Sequence, residues 1–270
     1  SVGIAPAQGG AAFALEHLGL AHNFLNTMSR YPLRAPEDSE DAAPAPPVDW
    51  HPRFAFLDHL LSAETTVEDM PRGSYGEQGD FVLGAYDFAL NGGMLRLWRD
   101  GHCWDGPDFV PLRIEKAYAL TGAGLCVDYR VTNQSEGERA LRFAVELPLQ
   151  LTAGDAPGRR LDLLRGGAAT EVALEAVACA DADGARGDDA WLNGRLTFEW
   201  EDATESWVFP IHTPLRSLAG MEWVYQSTTV LPVWNLRLAP GASWTTQIRA
   251  SVAYLVPTDA PMPGRGDDVR

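Results

Sequence analysis

The sequence predicts an all-β protein, a large antiparallel β-sandwich with one short helix near the N-terminus. Three observations carry that prediction. Apolar and polar residues alternate with period two through several long segments, and turn-forming clusters separate those segments at short intervals. No helical pattern recurs between them, as a parallel α/β sheet would require.

Taken in chain order, residues 1–52 form a lead-in belonging to the same domain. Within it Leu20, Phe24, Leu25 and Met28 share one face of a short helix predicted over 20–30, which Pro32 stops. The stretch 35–48, rich in Pro, Ala and acids, reads as an exposed loop. Residues 53–256 hold the sandwich. Its first strand carries Phe54, Phe56, Leu57 and Leu60 around the polar pair Asp58-His59, and such a pair in an apolar strand needs partners. Leu125, Val127, Tyr129 and Val131 make one face of a later strand. The longest alternation, 139–152, places Leu141, Phe143, Val145, Leu147, Leu149 and Leu151 on one side. Arg142, Ala144, Glu146, Pro148 and Gln150 fall on the other, as in a half-buried strand. Leu196, Phe198 and Trp200 repeat the pattern, and Trp244, Thr246, Ile248, Ala250, Val252 and Tyr254 close the domain. Asn91-Gly92-Gly93, Asp100-Gly101 and Ala239-Pro240-Gly241 supply turns of the length that antiparallel connections need. Residues 257–270 are a tail with no core-forming pattern.

The 270-residue chain is 46% hydrophobic and 21% charged, with no apolar stretch long enough to span a bilayer, so no membrane partner is expected. Its 37 acidic against 21 basic residues give a net charge of -16, which repels phosphates and excludes nucleic acid as a partner. Cys103, Cys126 and Cys179 are too few and too widely spaced for a disulfide framework or a paired-ligand zinc site, and reduced thiols suggest a cytoplasmic location. The histidines (His17, His22, His51, His59, His102 and His212) show no ligand spacing, so neither a metal nor a cofactor is expected. Phosphate-binding glycine loops, the zinc-protease helix and the nucleophile elbow are missing.

What remains points to sugar. Nine tryptophans supply flat aromatic faces of the kind that stack on a pyranose, and charged side chains beside such a face hold hydroxyls. The turn Gly154-Asp155-Ala156-Pro157-Gly158-Arg159-Arg160 follows the longest strand and offers one carboxylate and two guanidiniums. Asp155, Arg159 and Arg160 with Trp191 are therefore candidate carbohydrate-binding residues. His59 with Glu77 is a second candidate, the acid–base pair of a sugar epimerase, and His102 with Glu146 is another pairing of the same kind.

Several blocks, in order, carry a family resemblance. Gly9-Gly10-Ala11-Ala12-Phe13-Ala14-Leu15-Glu16 and Asn23-Phe24-Leu25-Asn26-Thr27-Met28-Ser29-Arg30 come first, then Arg53-Phe54-Ala55-Phe56-Leu57-Asp58-His59 and Tyr75-Gly76-Glu77-Gln78-Gly79-Asp80-Phe81-Val82. Pro111 to Lys116, Phe143 to Leu147, Gly154 to Pro157, Trp207 to Ile211 and Tyr225-Gln226-Ser227 complete the series. Together they resemble the C-terminal region of glycoside hydrolase family 57 α-amylases and 4-α-glucanotransferases. The resemblance implies a galactose mutarotase-like supersandwich packed against a catalytic barrel that holds the family's nucleophilic Glu and acid/base Asp. Nothing here matches the barrel, so no catalytic residue carries over. The expected function is a non-catalytic module that supports the barrel and binds α-glucan or maltooligosaccharide weakly. A mutarotase-like epimerase and a purely structural partner-binding domain stand as alternatives, the first requiring an open His–Glu pair and the second an exposed apolar patch.

Overall fold

The protein is described by a computed structural model covering residues 1–25, 27–31, 47–154, 156–217 and 220–255. Two antiparallel sheets face each other. The nine-stranded sheet runs, edge to edge, through Ala168–Glu171, Arg159–Arg165, Gly184–Asp189, Gly194–Trp200, Ser243–Tyr254, Gly124–Asn133, Asp108–Thr121, Met94–Asp105 and Asp87–Asn91. The five-stranded sheet is ordered Val177–Ala180, Glu205–Ser217, Gly220–Leu238, Arg139–Leu149 and Leu57–Leu60. The facing row Leu112, Ile114, Val127, Tyr129 and Val131 meets Phe143, Val145, Leu147, Val230 and Trp234 in the main core, and Leu196, Phe198 and Ile248 extend it. This is the alternation expected of a sandwich, and Phe143, Val145 and Leu147 stand on the predicted side.

The opposite side of the longest strand departs from expectation. Ala144 and Glu146 are as buried as their neighbours, so the strand is covered on both faces. The cover comes from the segments flanking the Leu57–Leu60 strand, 47–53 and 61–77, and Leu61, Val67 and Met70 of the second pack on Ala144, Trp207, Phe209, Ile211, Leu231 and Val233 in a second core. A short helix, Asp69–Arg72, lies within this cover and ends at Gly73 in the left-handed conformation (φ 68°).

The helix predicted over 20–30 is a correction. A 3-10 turn, Leu18–Leu20, is followed by the short strand His22–Asn23, which pairs with Ala11–His17, itself paired with Val2–Ala5. Asn23 explains the difference. Its side-chain oxygen accepts from the amides of Leu15 (2.9 Å) and Leu25 (3.1 Å), a local bond that competes with helix formation. The Phe24 amide bonds to Leu15 O (3.0 Å), and the Phe24 carbonyl accepts from Gln150 (3.0 Å), so this backbone is used in sheet-like pairing. Most of the acidic loop at 35–48 and the tail at 257–270 fall outside the described residues. No helix among the described residues is long and apolar enough to cross a membrane.

The hairpin of Glu205–Ser217 and Gly220–Leu238 is longer than its neighbours. Val177–Ala180 pairs only with 205–208 and Arg139–Leu149 only with 228–238, so 212–217 and 220–225 extend as a two-stranded arm. Leu215, Trp223 and Val224 on that arm are exposed.

Candidate functional site

The strand Leu57–Leu60 organises the charged interior. Phe56, just before it, is fully buried yet has a positive φ of 64°, a conformation that costs about 1–3 kcal/mol in a non-glycine residue. The turn aims the Phe56 carbonyl at Lys116, 2.7 Å from Nζ. Successive residues of a strand point to opposite faces. Asp58 therefore enters the space between the sheets and His59 enters the covered outer face.

Between the sheets, Lys116 Nζ donates to three acceptors at 2.7 Å each: Gly9 O, Phe56 O and Asp58 Oδ2. These are as many hydrogen bonds as an ammonium can donate. Tyr86 donates to the same carboxylate oxygen at 2.5 Å. Burial pushes Asp58 up and Lys116 down, while each charge opposes the other's shift. One group of atoms thus ties the lead-in segment, the Phe56 turn and both sheets together.

On the other face His59 sits between two carboxylates, with Nδ1 2.8 Å from Glu77 Oε2 and Nε2 3.2 Å from Glu146 Oε2. Arg53 holds the second Glu146 oxygen at 2.9 Å and Asp49 at 2.6 Å, and Arg30 also pairs with Asp49 at 2.8 Å. His51 contacts Tyr75 Oη at 2.8 Å and lies 3.8 Å from Glu146. Burial disfavours a charged His59, but the bonds to Glu146 and Glu77 prevail and raise it to about 9. Burial lowers His51 to about 4, helped by Arg53 and His59 and opposed by Glu146. Glu146 would rise on burial alone, yet Arg53, His51 and His59 hold it well below the ordinary carboxylate range. Glu77 also accepts from the amides of Leu60 and Gly79, both at 2.9 Å. Among the described residues, His51, His59 and Glu146 form a cluster whose atoms could hold a metal ion.

The expected pairing of His59 with Glu77 is present, but in a buried network. His102 and Glu146 are not partners: His102 pairs with Asp80 at 3.2 Å and stacks on Phe109 at 3.5 Å. Sequence reasoning missed the contributions of His51, Arg53 and Lys116. The legible signal was a Glu inside the apolar run Phe143 to Leu147, since a carboxylate there has to be paired.

Of the expected saccharide residues, Arg159 and Trp191 come together, the guanidinium carbon 4.8 Å from the ring centre. Arg160 turns to the opposite face of its strand and binds Asp162 at 2.6 Å. Asp155 lies outside the described residues. Asp189 takes a central place at this site, accepting from Thr152 N (2.7 Å), Thr152 Oγ1 (2.6 Å), Trp191 N (2.9 Å) and Leu192 N (3.2 Å). Trp191 itself is 65% exposed. A separate open groove of about 670 Å³ crosses the outer face of the large sheet, lined by Trp98, Arg96, Arg113, Glu115, Asp128 and Arg130 among others, with no histidine in its lining.

The paired sheets and their lead-in define a class, the galactose mutarotase-like sandwich. A galactose mutarotase-like protein from Lactobacillus casei shares it at a TM-score of 0.60 and 12% identity, over 93% of this chain and 96% of that one. The family is narrower. The profile of the alpha-amylase/4-alpha-glucanotransferase C-terminal family matches residues 36–248. The 4-alpha-glucanotransferase of Thermococcus kodakarensis is 31% identical over 188 residues, which are 68% of this chain and 25% of that protein. The chain belongs to the alpha-amylase/4-alpha-glucanotransferase C-terminal family. The structure of 4-alpha-glucanotransferase from Thermococcus litoralis matches at a TM-score of 0.70 and 24% identity, over 93% of this chain and 36% of that one. The chain spans about a quarter of the length of the curated relatives it matches.

Proposed function

We propose that this chain is the non-catalytic sandwich module of an α-glucan-acting enzyme, holding a catalytic barrel in place and touching glucan weakly. The observation that carries this reading is the burial of His59 between Glu77 and Glu146. An epimerase needs an acid and a base facing one sugar, whereas both ring nitrogens of His59 are spent on carboxylates and its side chain is 0% exposed. The apolar residues Leu215, Trp223 and Val224 on the projecting arm favour contact with another domain, since such patches mark protein contacts. The glucan contact rests on exposed Trp191 beside Arg159, an aromatic face with a hydrogen-bond donor.

The purified chain is expected to neither cleave nor transfer maltoheptaose or amylose, and to leave glucose mutarotation at the buffer rate. Turnover abolished by Glu115→Gln or Glu77→Gln would refute the non-catalytic reading. In a fluorescence titration, maltooligosaccharides are expected to bind with dissociation constants near millimolar, roughly -4 kcal/mol. Trp191→Ala should abolish the signal; binding that survives it unchanged places the contact elsewhere.

A further inference from the structure

His51, His59 and Glu146 are all buried, and each brings one ligand atom within 4.8 Å of the others. His59 Nε2 is 3.2 Å from Glu146 Oε2, His51 Nε2 is 3.8 Å from the same oxygen, and Tyr75 Oη is 2.8 Å from His51 Nε2. The other ring nitrogens fix how these atoms are presented. His59 Nδ1 faces a carboxylate, Glu77 Oε2 at 2.8 Å, and His51 Nδ1 faces the carbonyl of Pro52 at 2.9 Å. A carbonyl or an ionised carboxylate only accepts, so each Nδ1 carries the hydrogen and each Nε2 turns towards Glu146. A carboxylate or backbone carbonyl on the far nitrogen is the arrangement that orients imidazoles on a metal.

Charge supports the same conclusion. Glu146, Glu77 and Asp49 stand against Arg53 and Arg30, which leaves the buried cluster one positive charge short when both imidazoles are neutral. A proton on His59 Nε2 fills the gap but joins only one pair of atoms. Burial and the neighbouring Glu146 and Glu77 hold the Tyr75 hydroxyl protonated in the absence of an ion; a dication that displaces this proton on binding Tyr75 Oη also reaches neutrality and bonds four groups. The two imidazole centres are 5.5 Å apart at 61°, close to the separation of about 5 Å for two rings bound through nitrogen at about 2.0–2.1 Å to one tetrahedral ion.

We infer that His51, His59, Glu146 and Tyr75 form a structural zinc site that clamps the covering segment to the Arg139–Leu149 strand. Two imidazoles with oxygen ligands suit zinc better than calcium or magnesium, and four protein ligands leave no open coordination position. Because the site is enclosed, the ion enters as the cover closes, so uptake is coupled to folding.

The test uses the full chain, purified without chelator, then unfolded with EDTA and refolded with zinc or with cobalt(II). About one zinc per chain is expected on purification, together with the visible absorption of four-coordinate cobalt after refolding and a higher thermal midpoint with either ion. His51→Gln and His59→Gln should lose the cobalt band. Glu77→Gln keeps an acceptor on His59 Nδ1 without its charge and should weaken zinc roughly 10–100-fold in chelator competition. If neither histidine variant folds, the Glu77→Gln affinity decides. Folded wild-type protein that shows no cobalt band overturns the inference, as does a band retained in a folded histidine variant or an unchanged zinc affinity in Glu77→Gln.

Discussion

Asp58 and His59 are adjacent in the chain and equally buried, yet their surroundings are built on different principles. Asp58 meets one fixed cation whose donors are all committed, and its Oδ1 has no hydrogen-bond partner. His59 belongs to a cluster with surplus carboxylates and two guanidiniums, in which several groups share each charge. The first arrangement is stiff and has no substitute for any member. The second can exchange one positive species for another. Removing one partner of a buried pair costs more than the pair itself contributes, because an unpaired charge is left behind.

The largest expected effect separates the two. Lys116→Met should destabilise the fold by about 3–5 kcal/mol, since Asp58 is left buried without its cation. Lys116→Met with Asp58→Leu should recover part of that loss but not all, because Gly9 O loses its donor and the Tyr86 hydroxyl its acceptor, at about 1–3 kcal/mol each, while Phe56 O keeps only the long bond from Tyr129 at 3.4 Å. Urea denaturation of the two variants measures this. A double variant no more stable than the single one breaks the claim that charge dominates.

A smaller effect is expected where Lys116 grips the lead-in. Gly9 has φ 67°, and an added Cβ would meet the Val82 carbonyl and the Leu57 side chain. Left-handed backbone in an L-residue costs about 1–2 kcal/mol before any clash is counted. Gly9→Ala is expected to lose at least that much in thermal or urea unfolding. It should also speed hydrogen exchange at Ala11 and Ala12 more than at Val145. Uniform acceleration across both sheets would mean that the lead-in is not gripped locally.

The smallest effect sharpens the comparison with a third buried carboxylate, Asp189, which is held mainly by neutral donors. Burial opposes its ionisation, but the Thr152 and Leu192 bonds, with the Arg159 charge, lower its pKa. A depressed folded pKa means that the stabilisation is fully present above the ordinary Asp value of about 3.9 and is lost as pH falls below it. Asp189→Asn keeps one acceptor oxygen and is expected to cost about 0.5–1.5 kcal/mol at neutral pH, the net worth of a typical hydrogen bond, and to flatten the acid limb of the stability profile. An unchanged acid limb would assign that limb to other carboxylates.

The period-two rows were legible because one face of each strand meets the other sheet, as Phe143, Val145 and Leu147 do. The second buried face of the same strand was not, since Ala144 and Glu146 look like solvent-facing residues until Met70 and Val67 are seen to cover that sheet. Asp58-His59 announced a need for partners. Glu77 was proposed for His59, but Lys116 and Glu146 were hidden as partners because they lie far along the chain and meet the pair only through sheet pairing. The helix over 20–30 failed for a local reason, a single Asn23 amide oxygen that serves two backbone donors.

The strand Leu57–Leu60 has leucine at both ends and could pair with Arg139–Leu149 in a shifted register at little hydrophobic cost. A one-residue slip, however, sends every side chain to the opposite face. Asp58 would then face the carboxylates of Glu77 and Glu146, and His59 would face Lys116. The alternating acid and imidazole thus act as a key that admits one alignment of this short edge strand, so its register is proofread by charge where its leucines alone would leave it ambiguous.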